Sequence, residues 1–220
     1  TACRRQRQMC IRDSNNINNM KTIKTMRYMG NKTEHLDFIE QVIDSFKSKL
    51  NLQPTLFDAF GGTGSVTQYF NSKGFTVVTN DINNYAFNLC FSRNNITVQD
   101  LMFKGLNLKI DKVLEHLNNC KKKGFVYENY SPNPKCKYER KYFTNENAEK
   151  IDGIRTQIED WYKSKKITNK EYIHLISILI ETTSLFSNIP GTYGAFLTKS
   201  WDSRAPVSYT HLRAHETVSH

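Results

Sequence analysis

A carboxylate followed by clustered glycines is the part of this sequence best suited to chemistry. The run Asp58-Ala59-Phe60-Gly61-Gly62-Thr63-Gly64-Ser65-Val66 comes directly after the mostly apolar segment 54–57. Glycines let a backbone approach a ligand without a Cβ clash, and a helix that starts after them offers free N–H groups. A second acid, Asp81, follows Asp58 by 23 residues. This arrangement predicts a seat for a nucleoside-containing cofactor at the end of a strand.

The glycine pattern favours one class of cofactor over another. A dinucleotide fingerprint reads Gly-x-Gly-x-x-Gly and places a pyrophosphate at the helix start, but Thr67 stands where the third glycine belongs. A carboxylate such as Asp58 suits a ligand that carries positive charge, and S-adenosylmethionine has both a sulfonium and an amino group. The alternative is a glycine-rich turn that binds no ligand.

Asp81 has two interpretations. At the end of a second strand, its carboxylate can accept hydrogen bonds from two ribose hydroxyls. It also precedes the next predicted helix, where an aspartate commonly serves as a cap. Its position relative to Asp58 favours the ribose role.

The elements that must position these residues alternate between strand and helix. Apolar periodicity predicts helices over 34–50, 65–73 and 83–93, and β-branched or apolar runs predict strands over 55–58 and 75–79. This order is typical of an α/β fold with a parallel sheet.

The second half of the sequence is mostly helical in this interpretation. Helices are predicted over 110–123, 145–163 and 169–186, and strands over 125–130 and 193–197. His174 falls in an Ile/Leu-rich helix, so we expect it to lie near the core rather than to act as a base. No group of residues has the spacing of a metal site.

A loop before the first helix adds a third motif. Arg27-Tyr28-Met29-Gly30-Asn31-Lys32 combines an aromatic ring, a glycine and a cation. Together with the Asp58–Val66 run and Asn80-Asp81, in this order and spacing, it resembles the adenine-specific DNA methyltransferases of the Dam-like (D12) class. The segments 124–132, 142–144 and 193–197 also resemble this class, in its restriction–modification branch.

The resemblance implies the Rossmann-like α/β fold of S-adenosylmethionine-dependent methyltransferases, with a mostly helical target-recognition insertion. We expect this fold to be incomplete in the present sequence. It carries over a set of cofactor contacts: Tyr28, Gly30, Lys32, Asp58, Phe60, Gly61, Gly62, Gly64 and Asp81. It further implies double-stranded DNA as the substrate, with the target adenine flipped out of the stack for methylation at N6. We expect a monomer, with a cognate restriction endonuclease as a candidate partner.

The catalytic tetrapeptide of that family, Asp-Pro-Pro-Tyr, does not occur in the sequence. The family places it after the segment that corresponds to 193–197. We therefore assign no catalytic residue and expect a C-terminally truncated fragment without turnover. Two other functions stay open: a cytosine-N4 or RNA amino-methyltransferase on the same fold, and a non-catalytic DNA-binding module.

Basic residues interleave with aromatic residues in the middle of the chain, a pattern typical of nucleic-acid surfaces. The formal net charge of +10 also favours a polyanionic partner. The alternative is a solvated charge run, which is our interpretation of 163–166. Position in the chain favours DNA contacts by Lys121, Lys122, Lys123, Lys135, Lys137, Arg140 and Lys141.

Both ends of the sequence resemble translated adapter DNA from sequencing libraries. We expect 1–14 and 207–220 to be such artefacts, 15–110 to form the cofactor-binding lobe, 111–190 the target-recognition region, and 191–206 the start of a return to the catalytic lobe. Cys90, Cys120 and Cys136 fit neither a disulfide framework nor a zinc pattern. No signal peptide or apolar run of about 20 residues is present, so the sequence favours a cytoplasmic protein, bacterial or phage-encoded, without a membrane span.

Overall fold

The computed structural model describes Gly30, residues 32–50, 55–132, 139–190 and 193–205, and Leu212. The first half alternates strands and helices. Its elements are α1 (Leu36–Leu50), β1 (Thr55–Asp58), α2 (Ser65–Ser72), β2 (Thr76–Thr79) and α3 (Asn84–Asn95), and a 3-10 turn (Thr33–His35) precedes α1.

The regular elements described in the second half are helices, joined by turns and irregular chain. Its elements are α4 (Ile110–Asn118), α5 (Phe125–Tyr130), α6 (Asn145–Lys163) and α7 (Asn169–Leu185). Two 3-10 turns, Val98–Asp100 and Lys104–Leu106, connect α3 to α4. Among the described residues, no helix is long and apolar enough to cross a bilayer.

β1 and β2 pair in parallel, with Thr55 opposite Thr76 and Asp58 opposite Thr79. The helix α2 connects them and packs against both strands. This confirms the parallel sheet predicted from the order of the elements. Because parallel strands end at the same edge, the glycine turn after β1 and the acid after β2 are brought together there.

The larger hydrophobic core lies between α4, α6 and α7 rather than at the sheet. Ile154 and Ile158 of α6 are fully buried in it, as are Leu117 of α4 and Leu175 of α7. The predicted apolar face of α6 is therefore confirmed. Leu212, within the segment 207–220, also belongs to this cluster, and its N–H donates to Asn118 Oδ1 at 2.7 Å.

The strand predicted over 125–130 is wrong, because these residues form α5. The buried Asp152 carboxylate of α6 accepts hydrogen bonds from the N–H groups of Gly124 at 3.1 Å, Val126 at 3.0 Å and Tyr127 at 2.8 Å. These are the N–H groups that the first turn of a helix leaves unpaired, and a carboxylate there also meets the positive end of the helix dipole. A contact from α6 thus overrides the β propensity of the segment.

The strand predicted over 193–197 is also wrong, because this segment is a turn followed by irregular chain. The fully buried Asn188 supplies partners that a neighbouring strand would otherwise provide. Its Nδ2 donates to the carbonyls of Lys141 at 2.8 Å and Leu197 at 3.0 Å, and its Oδ1 accepts from the N–H of Asp202 at 2.8 Å.

The helix predicted over 110–123 is shorter than expected and ends at Asn118. The following backbone crosses α6 closely at Gly153, where a Cβ would lie 2.7 Å from the backbone nitrogen of Lys121. The N–H of Lys122 then donates to the carbonyl of Glu149 at 2.9 Å. The close approach to α6 explains why the helix cannot continue.

His174 lies in the core, as predicted. It belongs to α7 and is 1% exposed, and its Nδ1 lies 3.0 Å from Ser92 Oγ of α3. Among the described residues, its Nε2 has no hydrogen-bond partner. Burial lowers the pKa of His174 to about 4.

We expect His174 to make the fold less stable as the pH falls from about 6.5 towards 4. In this range the unfolded histidine binds a proton and the buried one does not, so the free energy of unfolding decreases. Between pH 7 and pH 5 the decrease is about 2 kcal/mol. Urea unfolding at both pH values measures it. The variant H174Q should remove most of this pH dependence, while H35Q, at an exposed histidine, should keep it; an unchanged slope in H174Q would contradict the assignment.

Candidate functional site

Backbone hydrogen bonds fix the glycine turn at the carboxyl edge of the sheet. The N–H of Gly61 donates to the carbonyl of Asn80 at 2.9 Å, and the N–H of Gly64 donates to the carbonyl of Gly61 at 2.8 Å. Gly62 and Gly64 have φ values of 54° and 80°, in the left-handed region that favours glycine. The turn therefore joins β1 directly to the start of α2.

The turn packs tightly on its neighbours. A Cβ at Gly61 would lie 2.3 Å from Thr79 Cγ2, and a Cβ at Gly64 would lie 3.1 Å from Cys90 Sγ. Side chains at these positions would push the turn away from β2 and α3. The glycines thus serve both the backbone conformation and the close approach.

Asp81 connects the glycine turn to the start of α3. Its Oδ2 accepts a hydrogen bond from the N–H of Gly62 at 2.9 Å, and its Oδ1 accepts one from the N–H of Asn83 at 2.9 Å. Asp81 thus closes a turn before α3 rather than capping the helix, because the N–H that it accepts belongs to Asn83, the N-cap residue. A carboxylate has about four acceptor positions, so two lone-pair positions are left over for hydroxyl donors such as those of a ribose.

Asp58 is held in place by α2. Its Oδ2 accepts a hydrogen bond from Thr67 Oγ1 at 3.1 Å, and its Oδ1 accepts one from the N–H of Phe60 at 3.3 Å. Thr67 Oγ1 also lies 2.7 Å from Thr79 Oγ1 of β2. The carboxylate thus has a fixed direction at the edge of the sheet, where a cationic group of a ligand could approach it.

Two large apolar side chains flank the turn and are almost fully exposed. Phe60 is 90% exposed and Ile82 is 94% exposed. Each follows the end of one of the paired strands, so both stand at the edge that carries Asp58 and Asp81. An aromatic ring bound at this edge could cover part of this apolar surface. The sequence predicted Phe60 but not Ile82.

Gly30 and Lys32, the described residues of the N-terminal loop motif, have no hydrogen bond to the glycine turn. Lys32 Nζ donates to the carbonyl of Gly30 at 2.8 Å, and Gly30 has a φ of 87°. These contacts keep Lys32 within its own loop. Tyr28, the third predicted residue of this loop, lies outside the described residues.

Cys90 and Arg93 of α3 are site residues that the sequence did not predict. The Cys90 thiol donates to the carbonyl of Gly62 at 3.6 Å, and burial together with the neighbouring Asp58 raises its pKa to about 11. The thiol therefore stays protonated at neutral pH and packs under the turn. Arg93 Nη1 donates to the carbonyl of Thr63. In the sequence, Arg93 falls on the same helix face as Ala86 and Leu89. An arginine on an apolar face needs buried partners, so this placement could have identified it as a buried contact residue.

The predicted DNA-binding residues that the structure describes lie on the surface, some of them in weak ion pairs. Lys121 Nζ is 3.7 Å from Glu146 Oε1, and Lys123 Nζ is 3.8 Å from Glu149 Oε1. Exposed pairs of this kind contribute little to stability, so the ammonium groups can exchange partners. Lys122 is exposed. Arg140 donates to the carbonyl of Asn129 at 3.1 Å, and Lys141 pairs with Glu139 at 3.3 Å. Lys135 and Lys137 lie outside the described residues.

The aromatic residues of this region are less available than their spacing suggests. Phe143 is buried in the core. Tyr130 and Tyr142 are half-buried and pack edge to face, with ring centroids 5.5 Å apart. Phe125 is exposed. Much of the predicted interleaved pattern therefore stabilises the fold rather than forming a surface.

The directions of the helices place the two basic clusters at opposite ends of α6. α7 runs antiparallel to α3, since Ser177 Oγ donates to the Asn88 carbonyl and Ser92 contacts His174. It also runs antiparallel to α6, since Tyr172 donates to Glu159. The N-termini of α3 and α6 therefore point the same way. The cluster 121–123 lies at that end, and 163–166 lies about 20 to 25 Å further along α6.

The fold and the site together are typical of one class of α/β protein. A glycine turn after a parallel strand, with an acid at the end of the next strand, is typical of α/β proteins that bind nucleoside-containing ligands. Among the described residues, no cluster of His, Cys, Asp and Glu could hold a metal ion. The sequence profile for the D12 class N6 adenine-specific DNA methyltransferases matches residues 28–215, which include part of the segment 207–220. The chain belongs to this family.

Curated relatives carry matching names. The chain is 38% identical over 191 residues to the modification methylase LlaI of Lactococcus lactis subsp. lactis, and 37% identical over 187 residues to the type II methyltransferase M.FokI of Planomicrobium okeanokoites. It is 31% identical over 174 residues to the type II methyltransferase M.NlaIII of Neisseria lactamica. These matches cover 84%, 82% and 78% of this chain, but 29%, 28% and 49% of the respective relatives. No solved structure matches the chain.

Proposed function

We propose that this chain carries the cofactor-binding lobe and part of the target-recognition region of a DNA methyltransferase that acts on adenine N6. The observation that carries the proposal is the glycine turn joined to Asp81 at the carboxyl edge of the sheet. The unit β1–α2–β2–α3 supports the finer assignment to a Rossmann-like methyltransferase fold, with S-adenosylmethionine as the cofactor. When bound, that cofactor supplies the methyl group on its sulfonium.

The residues at the sheet edge fit the chemical groups of S-adenosylmethionine. Asp58 offers a fixed carboxylate for the positively charged part of the molecule. Asp81 has acceptor positions left for the ribose hydroxyls. Phe60 and Ile82 offer exposed apolar surface for the adenine ring. The backbone N–H groups at the start of α2, at Ser65, add hydrogen-bond donors with fixed directions at the same edge. The turn can therefore hold the cofactor in a single orientation.

DNA is the proposed substrate, in a restriction–modification system; the relatives are named modification methylase and type II methyltransferase. Lys121, Lys122 and Lys123 lie at the N-terminal end of α6, and we assign them contacts to DNA phosphates while a flipped base reaches the cofactor. No catalytic residue is assigned within this chain. We propose that the protein acts as a monomer, with a cognate endonuclease as its functional partner.

Two measurements test the proposed function. Calorimetry of this chain with S-adenosylmethionine should show saturable binding. The complete reading frame, incubated with DNA and the cofactor, should produce N6-methyladenine in nucleoside digests analysed by mass spectrometry. N4-methylcytosine, a product on RNA alone, or DNA binding without any methyl transfer would each replace the proposal with one of the other functions.

We expect the triple variant K121A/K122A/K123A to bind non-specific DNA more weakly. Removal of three phosphate contacts should lower the slope of log affinity against log salt by up to about 3. Fluorescence anisotropy at several salt concentrations measures this slope. The matched control K163A/K165A/K166A removes the same number of charges from the other end of α6 and should leave the slope nearly unchanged. Equal effects of both triple variants would indicate only non-specific charge attraction.

A further inference from the structure

We propose that Arg93 and Glu181 are positioning residues for the cofactor seat, through which α7 holds the glycine turn in place. α7 belongs to the region assigned to target recognition, whereas the turn belongs to the cofactor lobe. The inference rests on the proposed function of the turn and adds a physical connection between the two regions.

Arg93 contacts both regions at the same time. Its Nη1 donates to the carbonyl of Thr63 in the turn, and its Nε and Nη2 donate to Glu181 Oε1 of α7 at 3.1 Å and 2.6 Å. Arg93 is 6% exposed and Glu181 is 15% exposed. A guanidinium is planar and its donors have fixed directions. Glu181 therefore determines where Nη1 points, and so determines the position of the Thr63 carbonyl.

The glycine turn needs such a contact because its own backbone preference is weak. Thr63 lies between Gly62 and Gly64, and glycine populates left-handed and right-handed backbone about equally. On one side, the N–H of Gly62 is held by Asp81. On the other side, the carbonyl of Thr63 is held by Arg93. These two contacts fix the peptide groups before Gly62 and after Thr63.

Other polar contacts between α3 and α7 do not reach the turn. Ser177 Oγ donates to the carbonyl of Asn88 at 3.0 Å, and Ser92 Oγ lies 3.0 Å from His174 Nδ1. They hold the two helices together but contact no residue of 60–65. Ser177 is therefore a matched control: its loss affects the same helix interface without changing the support of the turn.

The double variant R93M/E181L tests the proposal, since it removes the ion pair without leaving a single buried charge. Two readouts are combined: calorimetry with S-adenosylmethionine and hydrogen exchange of the Gly62 and Gly64 amides without cofactor. We expect affinity to fall about tenfold and exchange to rise about tenfold. E181Q keeps one accepting oxygen and should show an intermediate change, about threefold in each readout. S177A should stay within about twofold of the parent in both.

The outcomes separate this proposal from the proposed function. If the parent chain binds no S-adenosylmethionine, the cofactor function is wrong, and the exchange data decide alone whether α7 supports the turn. If the parent binds but R93M/E181L retains parental affinity and exchange, the positioning role is wrong. An equal effect of S177A would also overturn it, because the change would then come from the helix interface in general. If R93M/E181L does not fold, E181Q decides by the same readouts, and unchanged values there overturn the proposal.

Discussion

Replacing Gly64 with alanine is expected to weaken cofactor binding about tenfold or more and to destabilise the fold by about 2 to 4 kcal/mol. Gly64 has a φ of 80°, where a Cβ strains the backbone, and that Cβ would also lie 3.1 Å from the Cys90 sulfur. Relief of this contact moves the turn away from α3. Because Gly64 ends the turn that would face the cofactor, the movement should reduce affinity. Thermal unfolding and calorimetry with S-adenosylmethionine measure the two effects.

Gly74 provides a matched control for this substitution. Its φ of 82° is nearly the same as that of Gly64, but a Cβ there would have nothing within 4 Å. The variant G74A should therefore show only the backbone strain, about 1 to 2 kcal/mol, with unchanged cofactor affinity. If G64A and G74A lower stability equally and G64A binds as the parent does, the close packing of the turn is not needed for binding.

Replacing Asp81 with alanine is expected to abolish measurable cofactor binding. The change leaves the N–H groups of Gly62 and Asn83 without their acceptor, which costs about 1 to 3 kcal/mol each where these groups are shielded from water. It also removes the proposed ribose contacts. The milder variant D81N keeps one accepting oxygen, so it should fold and bind roughly tenfold to hundredfold more weakly.

Two comparisons separate the backbone contacts of Asp81 from its proposed ribose role. S-adenosylhomocysteine and its 2′-deoxy analogue should differ in affinity for the parent chain and differ much less for D81N. D100N serves as the control variant. Asp100 accepts from the N–H of Thr97 at 2.9 Å in the turn that follows the C-terminal end of α3. This variant should lose stability without a change in affinity. If D81N discriminates between the two ligands as strongly as the parent, Asp81 only holds the backbone of Gly62 and Asn83.

The residues of the candidate site were predictable where a local pattern specifies them. Glycines at positions 61, 62 and 64 follow a short apolar strand, and Asp81 follows the next one, so the parallel pairing brings them together. The apolar face of α6 was predictable for a similar reason, because the helical period appears within one continuous segment. The threonine cap at Thr168, with its partner Glu171, gives the start of α7 in the same local way.

The errors fall where a distant residue determines the local structure. The segment 125–130 has strand-like composition, yet Asp152, which lies 28 residues from Gly124, supplies the acceptor that starts a helix. The segment 193–197 has its backbone partners provided by the buried Asn188. In both cases one buried polar side chain outweighs propensities that differ by only about 1 kcal/mol.

The sequence by itself determined the glycine turn, the two acids, the parallel strand pair and the family to which the chain belongs. Each of these depends on spacing within a short segment, or on a backbone conformation that few residue types other than glycine adopt. Only the tertiary structure decided that Asp81 bonds to Gly62, that Arg93 connects the turn to Glu181, and that the clusters 121–123 and 163–166 lie at opposite ends of α6. These facts depend on helix packing between segments up to 88 residues apart, and the free energy of such contacts leaves no local pattern in the chain.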